Sequence, residues 1–352
     1  MTTVATDTNA KQEVIRALTE ARNRRFADAE QNTRMEITHA EGLDEDEKQA
    51  LRKKLLVDNS HVSMPTLIGI RKEMPATTAM ALEIFKTDFI VAEEIVGMFD
   101  ARVSVKNVPS DFKLPYSVQF LEEAKIAGCM LTYQPMLKDG GTIGLDGFAE
   151  LCKGMSPKGG GELLYADQFD LQKGIVSKKA WFAEKQYSGY RNQQIIQPNV
   201  FRIAKKSEIS GTSNQRFMKQ VMMQCDWIEK SFPKSLSKLM QEAIAEVRRD
   251  ADMLTKMQDS DSSAFIKQIV KYKFFTLFME TGLETLFRMV AYNQATGEKL
   301  LQNMYLRNGV TEPVGSRLGY SGCWDENGPL LGRDGAGYTC SRLGMGFSCI
   351  AV

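Results

Sequence analysis

Histidine is nearly absent from this chain, which contains only His39 and His61 among its 352 residues. Histidine is the commonest general base near neutral pH and a frequent zinc ligand. Most histidine-dependent catalytic and metal sites are therefore excluded from almost the whole sequence. A Cys–His nucleophile pair stays open, because distant residues can meet in a fold, but the simpler interpretation places both histidines on the surface.

Disulfide and zinc patterns are also missing. The six cysteines lie at positions 129, 152, 225, 323, 340 and 349, and no two of them are spaced as C-x-x-C. Neither a dense disulfide framework nor a zinc site is indicated. No pair of carboxylates stands out as catalytic either. We therefore expect no metal, no cofactor and no enzymatic activity.

Long apolar runs are the third absence. The chain has no run of about 18 apolar residues, the length that a membrane-spanning helix needs, and residues 1–9 are polar. The N-terminus thus lacks the apolar core of a signal peptide. We expect no membrane span and a cytoplasmic location, which for a viral protein means the host cytoplasm and the virion.

Two glycine-rich stretches resemble ligand-binding loops but lack the required residues. Residues 138–148 resemble half of a calcium loop, yet Met136, Lys138 and Gly140 occupy positions that need oxygen ligands. Residues 153–162 lack the G-x-x-x-x-G-K-[ST] pattern of a phosphate-binding loop. We favour a flexible loop there, and a weaker contact to a phosphate backbone stays open.

Hydrophobic spacing predicts mostly helices, with apolar stripes over residues 76–99, 116–137, 214–258 and 262–290. The last of these is apolar nearly all round, which predicts a central, buried helix. The predicted fold is mainly α, with two helical lobes joined by a basic loop-rich region and with N- and C-terminal arms. The predicted segments are an N-terminal arm (1–30), an N-terminal helical lobe (31–155), a basic Gly/aromatic-rich connecting region (156–212), a C-terminal helical lobe (213–306) and a Gly-rich C-terminal arm (307–352).

The strongest functional signal is the charge of residues 171–219. This segment holds ten basic and two acidic residues, a net charge of +8 in a chain whose total is +1. Aromatic and amide side chains are interleaved with the cations. Cations neutralise phosphates, aromatic rings stack on unpaired bases, and amides bond sugar and phosphate oxygens without reading sequence. The mixture predicts a single-stranded nucleic-acid interface; the alternative is a solvated basic face over a core that includes Trp181 and Phe182.

The predicted phosphate-binding cations are Lys178, Lys179, Lys185, Arg191, Arg202, Lys205, Lys206, Arg216 and Lys219. The predicted stacking residues are Tyr187 and Tyr190. Residues 210–214 also open a predicted helix beside Arg216 and Lys219, and a helix N-terminus offers free N–H groups to a phosphate. Phosphate contact there would add to ordinary helix capping.

The layout of helical lobes, basic connecting region and terminal arms resembles the nucleocapsid or coat proteins of filamentous RNA viruses. The resemblance implies lobes that clamp single-stranded RNA and arms that dock on adjacent protomers. It therefore implies a self-assembling structural protein that coats RNA without sequence specificity, with RNA and further copies of itself as partners. The alternative is a matrix-like or scaffold shell protein whose basic face binds acidic lipid or protein partners.

Overall fold

A computed structural model describes residues 74–99, 102–105, 108–309 and 317–350. Of these residues 42% are helical and 20% lie in strands, which form six small sheets. The fold is thus mixed α/β, and the prediction of a mainly α protein with two helical lobes is wrong. The predicted N-terminal arm, residues 1–30, lies outside the described residues, as do both histidines.

Eleven α-helices occur in the described residues. In chain order they are α1 (Thr78–Phe85), α2 (Ala92–Met98), α3 (Val118–Ile126), α4 (Leu145–Leu151), α5 (Ser188–Gln193), α6 (Phe217–Ser231), α7 (Lys238–Arg249), α8 (Ala251–Ser260), α9 (Ser262–Ile269), α10 (Lys273–Phe278) and α11 (Gly282–Thr296). Short 3-10 turns are formed by Lys86–Asp88, Trp181–Ala183 and Lys185–Tyr187.

The strands of the described residues are mostly short. They are β1 (Pro75–Thr77), β2 (Phe89–Ile90), β3 (Val103–Ser104), β4 (Lys113–Ser117), β5 (Cys129–Gln134), β6 (Met136–Leu137), β7 (Ile143–Gly144), β8 (Phe169–Asp170), β9 (Ile175–Val176), β10 (Ile195–Ile196), β11 (Val200–Lys205), β12 (Tyr305–Arg307), β13 (Arg317–Gly322), β14 (Leu330–Gly335), β15 (Leu343–Gly344) and β16 (Ser348–Ile350).

The chain divides into two compact units, the first of which includes residues 74–84 and 109–122. In this unit β1 pairs antiparallel with β4. The N–H of Thr78 donates to the carbonyl of Phe112 at 3.0 Å, which ties the start of α1 to the segment before β4. The rings of Tyr116 and Phe120 stack with their centres 5.5 Å apart.

The second unit contains residues 85–99, 102–105, 108, 123–309 and 317–350 of the described chain. One of its sheets has the strand order β16-β11-β5-β2, in which β2 runs parallel to β5 and the other pairs are antiparallel. All six residues of β5 are buried. The prediction of one helix over residues 116–137 is wrong, because only Val118–Ile126 is helical and β5 follows. A strand covered on both faces shows no apolar–polar alternation, so the sequence pattern did not distinguish β5 from a helix.

A second four-stranded sheet has the order β14-β13-β12-β15. Its strands come from residues 305–307 and 317–344, and β16 pairs with β11 of the first sheet, where Ile350 lies opposite Arg202. The predicted C-terminal arm is therefore an integral part of this unit over its described residues. Likewise, β11 of the predicted connecting region is a central strand.

Helix α11 lies in the main hydrophobic core, and every residue from Gly282 to Asn293 is buried. It begins with a capping box in which Thr281 and Glu284 each bond the other's backbone N–H, and it ends at the left-handed Gly297. The buried helix predicted from Ser262 is interrupted in the structure. Asp261 caps the shorter α9, and α10 follows before α11 starts.

Candidate nucleic-acid interface

Five of the nine predicted phosphate-binding cations are paired with carboxylates. All five acids lie outside residues 171–219, so the fold neutralises much of the charge that is segregated along the sequence. The pairs are Lys179–Asp167 (3.3 Å), Arg191–Asp146 (2.5 Å), Arg202–Glu284 (2.5 Å), Lys206–Asp88 (2.9 Å) and Arg216–Asp259.

Arg202 is a core residue. It lies on β11 with 4% of its surface exposed, and its guanidinium donates to Glu284 and, at 2.8 Å, to the hydroxyl of Ser348. Burial raises the pKa of the Glu284 carboxyl, and the Arg202 guanidinium acts against this rise. The predicted contact between Arg202 and RNA is therefore wrong, because the side chain is enclosed and already bonded.

Lys205 and Lys206 also make contacts within the protein. Lys205 lies over the ring of Trp227, with Nζ 5.7 Å from the ring centre. Lys206 shares Asp88 with Lys125, whose Nζ lies 2.6 Å from the carboxylate. Burial acts to raise the pKa of Asp88, but the hydrogen bonds from the two lysines hold it below its usual value. Lys206 thus stabilises a buried carboxylate and Lys205 lies over an aromatic ring, so both are weak candidates for phosphate contacts.

Tyr190 is 6% exposed, and its burial raises the pKa of the phenol. A ring this enclosed cannot offer its face to a base, so the prediction that Tyr190 stacks on RNA is wrong. Tyr187 differs, because it is only half-buried.

Three rings and one guanidinium form a cluster in the predicted interface; Trp181, Tyr187 and Arg333 are half-buried, and Tyr190 is the buried member. We call Trp181, Tyr187, Tyr190 and Arg333 the Arg333 cluster. The centre of the Trp181 ring lies 5.4 Å from that of Tyr187 and 4.9 Å from that of Tyr190. The guanidinium carbon of Arg333 lies 3.9 Å from the centre of Tyr187 and 4.7 Å from that of Trp181.

Local structure positions these groups. Trp181 and Tyr187 lie on two successive 3-10 turns, and Arg333 lies on β14. The indole N–H of Trp181 donates to the carbonyl of Leu331 at 3.0 Å, which joins the turns to the strand. Leu331 is 150 residues away from Trp181. The sequence prediction missed Arg333 because nothing near it in the tail indicates this contact.

Three predicted cations remain exposed without an ion pair in the described part of the chain: Lys178, Lys185 and Lys219. Lys178 and Lys185 flank Trp181 in sequence, and Lys185 belongs to the same turn as Tyr187. Lys219 lies separately, in the first turn of α6. The Arg333 cluster with Lys178 and Lys185 thus retains the two kinds of group in the predicted interface, cations and aromatic rings.

The two other segments considered for phosphate contact are the helix start at residues 210–214 and the glycine-rich loop of residues 153–162. Helix α6 begins at Phe217, and Thr212 is buried, where its hydroxyl accepts from the N–H of Met345 at 2.9 Å. The glycine-rich loop around residue 160 is tied down. Asn293 accepts from the N–H of Lys158 at 2.9 Å and donates to its carbonyl at 3.0 Å, and Lys299 donates to the carbonyl of Gly160 at 2.8 Å.

Within the described residues, no three His, Cys, Asp or Glu side chains are grouped so that they could hold a metal ion. The same part of the chain has no helix with the length and apolar character that crossing a bilayer requires. No protein-family model, curated protein or solved structure matches the sequence or the fold. The function is therefore inferred from the geometry of the chain itself.

Proposed function

We propose that the protein binds single-stranded RNA, without reading its sequence, through the Arg333 cluster and the flanking Lys178 and Lys185. The observation that carries the proposal is the position of Arg333. Its guanidinium is stacked on Tyr187, yet it forms no ion pair within the described ranges.

Stacking leaves the N–H groups at the edge of a guanidinium free to bond a phosphate, and arginine presents them in a planar fork. Of the neighbouring rings, Trp181 and Tyr187 are only half-buried, and unpaired bases stack on exposed ring faces at about 1–3 kcal/mol per base. Lys178 and Lys185 add positive charge on either side of Trp181 in the chain. Charge and stacking faces together favour an unpaired strand over a duplex, whose bases are already stacked on one another.

The proposal extends to a coating role, in which many copies cover one RNA strand. This extension is supported only by the basic, aromatic segment of residues 171–219, since the two-lobed layout that suggested a coat protein is wrong. Negative-stain microscopy of the purified protein with and without RNA tests it, because a coat protein should form nuclease-sensitive rings or filaments. If the particles remain single subunits at all RNA concentrations, the coating role is wrong and only the proposal of an RNA-binding site stands.

The binding site itself is tested with two arginine variants. Arg333→Gln should weaken binding of a labelled oligouridine about tenfold in fluorescence anisotropy and reduce the salt dependence by about one phosphate contact. Arg216→Gln is the matched control. It also removes one positive charge, from an exposed residue that is paired with Asp259, and should leave affinity within about twofold.

Tyr187→Ala should likewise weaken binding about tenfold, because it removes the ring that lies under Arg333. Equal losses from Arg333→Gln and Arg216→Gln would show that only overall charge matters, and the proposed site would then be wrong. The same conclusion follows if the wild-type protein ignores single-stranded RNA at low salt.

A further inference from the structure

Two asparagines of this chain are followed directly by glycine, in the pairs Asn308-Gly309 and Asn327-Gly328. Asparagine is a chemically labile residue, and a following glycine has no side chain to hinder attack of its backbone nitrogen on the asparagine amide. In a folded protein this attack also needs a mobile side-chain amide and a backbone N–H that can leave its hydrogen bond. The structure places the two pairs in opposite surroundings.

The Asn308 pair is held in the protein interior. Asn308 is 2% exposed, and its amide nitrogen donates to the hydroxyl of Ser321 at 2.7 Å. The N–H of Gly309, which would have to attack, donates to the carbonyl of Glu280 at 2.6 Å. Reaction at Asn308 therefore requires a local opening that breaks both hydrogen bonds.

The Asn327 pair lies in the turn before β14, where Asn327 is exposed. Its backbone N–H donates to Oδ1 of Asp325 at 2.8 Å, but its side-chain amide has no hydrogen-bond partner among the described residues. The N–H of Gly328 donates to the carbonyl of Asp325 at 3.3 Å, which is long for a hydrogen bond of this type. The amide of Asn327 is therefore free to turn toward a nitrogen that is only weakly restrained.

We infer that Asn327 is a site of spontaneous deamidation in the folded protein and that Asn308 is protected. The nitrogen of Gly328 loses its proton to hydroxide and attacks Cγ of Asn327, and the side-chain nitrogen leaves as ammonia. Water then opens the resulting five-membered imide at either of its carbonyl groups. One product is aspartate. The other is isoaspartate, in which the main chain runs through the former side chain and is one methylene group longer.

The longer product does not fit the turn, which is hydrogen-bonded to residues 162–165. The carbonyls of Glu326 and Pro329 accept from backbone N–H groups of that segment, both at 3.1 Å. Between these two bonds, a Cβ atom built on Gly328 would lie 2.8 Å from the backbone of the same segment, so the turn has no room to shift toward it. An extra methylene group should therefore break at least one of the two bonds. Aspartate keeps the length of the main chain and adds only an exposed negative charge.

Peptide mapping by mass spectrometry tests the inference, because trypsin separates the two asparagines into peptides 308–317 and 318–333. Purified protein is incubated in mildly alkaline buffer, and replacement of the amide by a carboxyl group is followed in each peptide. In the folded protein, peptide 318–333 should be modified at least about tenfold faster, because reaction at Asn308 must first break two hydrogen bonds. In urea-unfolded protein the two rates should become similar.

Two variants separate the reaction from its consequence. Asn327→Gln keeps an exposed amide but would have to form a six-membered ring, so its peptide should remain unmodified. Asn327→Asp carries the charge without the extra methylene group. In limited digestion, trypsin should cut the aged wild-type protein after the exposed Lys158 several-fold faster than the fresh protein, because the segment that follows is released. Fresh Asn327→Asp should be cut at the wild-type rate.

Equal rates at the two asparagines of the folded protein, or a faster rate at Asn308, would overturn the inference. Failure of Asn327 to react in the folded protein would also overturn it, with the urea-unfolded sample showing that the conditions permit the reaction. If Asn327 reacts but cleavage after Lys158 does not change, the modification site stands and the loss of the hydrogen bonds to residues 162–165 is refuted. None of these measurements uses RNA, so their outcome is independent of the proposed function.

Discussion

Replacing Arg202 with methionine tests whether this residue serves the fold or the ligand. The sequence pattern assigns Arg202 to a phosphate contact. The structure places it in the core, with its guanidinium 2.5 Å from Glu284 and the two side chains 4% and 3% exposed. These assignments predict opposite results: loss of RNA affinity at constant stability, or loss of stability at constant affinity.

Removing one partner from a buried ion pair leaves the other charge without compensation, which costs about 3–5 kcal/mol. Glu284 keeps one further bond, because its carboxylate also accepts from the N–H of Thr281 at 2.9 Å. The loss for Arg202→Met should therefore lie near the lower end, at about 3 kcal/mol of unfolding free energy. The double variant Arg202→Met/Glu284→Leu removes both charges and should be less destabilised than the sum of the single variants.

Urea unfolding followed by circular dichroism gives the free energies by linear extrapolation. Arg216→Met is the control, because its pair with Asp259 is 58% and 48% exposed and should contribute at most about 1 kcal/mol. RNA affinity of Arg202→Met, measured where the variant is folded, should match that of the wild type. Unchanged stability together with a loss of RNA affinity would refute the structural role.

Three further predictions follow from buried or anchoring side chains. Arg307 is 3% exposed, two of its nitrogens have no hydrogen-bond partner among the described residues, and burial lowers its pKa to about 10. Arg307→Met should therefore raise the urea-unfolding free energy by about 1 kcal/mol. The pKa of Asp88 is held below 3.8 by hydrogen bonds that outweigh its burial, so its ionised form stabilises the fold above that pH. This stability is lost as pH falls below 3.8, and melting temperatures of Asp88→Asn should decline less there than those of the wild type. Asn293→Ala should speed trypsin cleavage after Lys158 several-fold, because it removes both hydrogen bonds of the Lys158 backbone and leaves only the bond from its ammonium to the carbonyl of Gln294.

Local patterns located one central feature of the fold and missed others. The apolar character of residues 282–293 correctly indicated burial, since a helix enclosed on all sides needs apolar residues all round. Strand β5 was missed because a strand buried on both faces has the same composition as a buried helix segment. The sheet formed by β12, β13, β14 and β15 was missed because its strands are short or contain glycine, and glycine usually indicates loops.

The candidate site was predictable only in part, because it combines residues from two distant parts of the chain. The segment that carries Trp181, Tyr187, Lys178 and Lys185 was recognised from its mixture of cations and rings. Arg333 comes from the tail and reaches the site only through the pairing of β14 with β13. Charge was the most misleading signal, because the carboxylates that neutralise the basic segment lie elsewhere in the chain.

The salt dependence of RNA binding separates the interface predicted from sequence from the smaller one in the structure. On a single strand, each neutralised phosphate contributes about 0.7 to the slope of log affinity against log salt concentration. Nine cations in one groove would give a slope of about −6, whereas Lys178, Lys185 and Arg333 give about −2. We expect the smaller value, because five of the nine cations already have carboxylate partners and exchanging those partners for phosphates releases no counterions. A slope near −6 would mean that the ion pairs open on binding, and the extended groove would then replace the Arg333 cluster as the binding site.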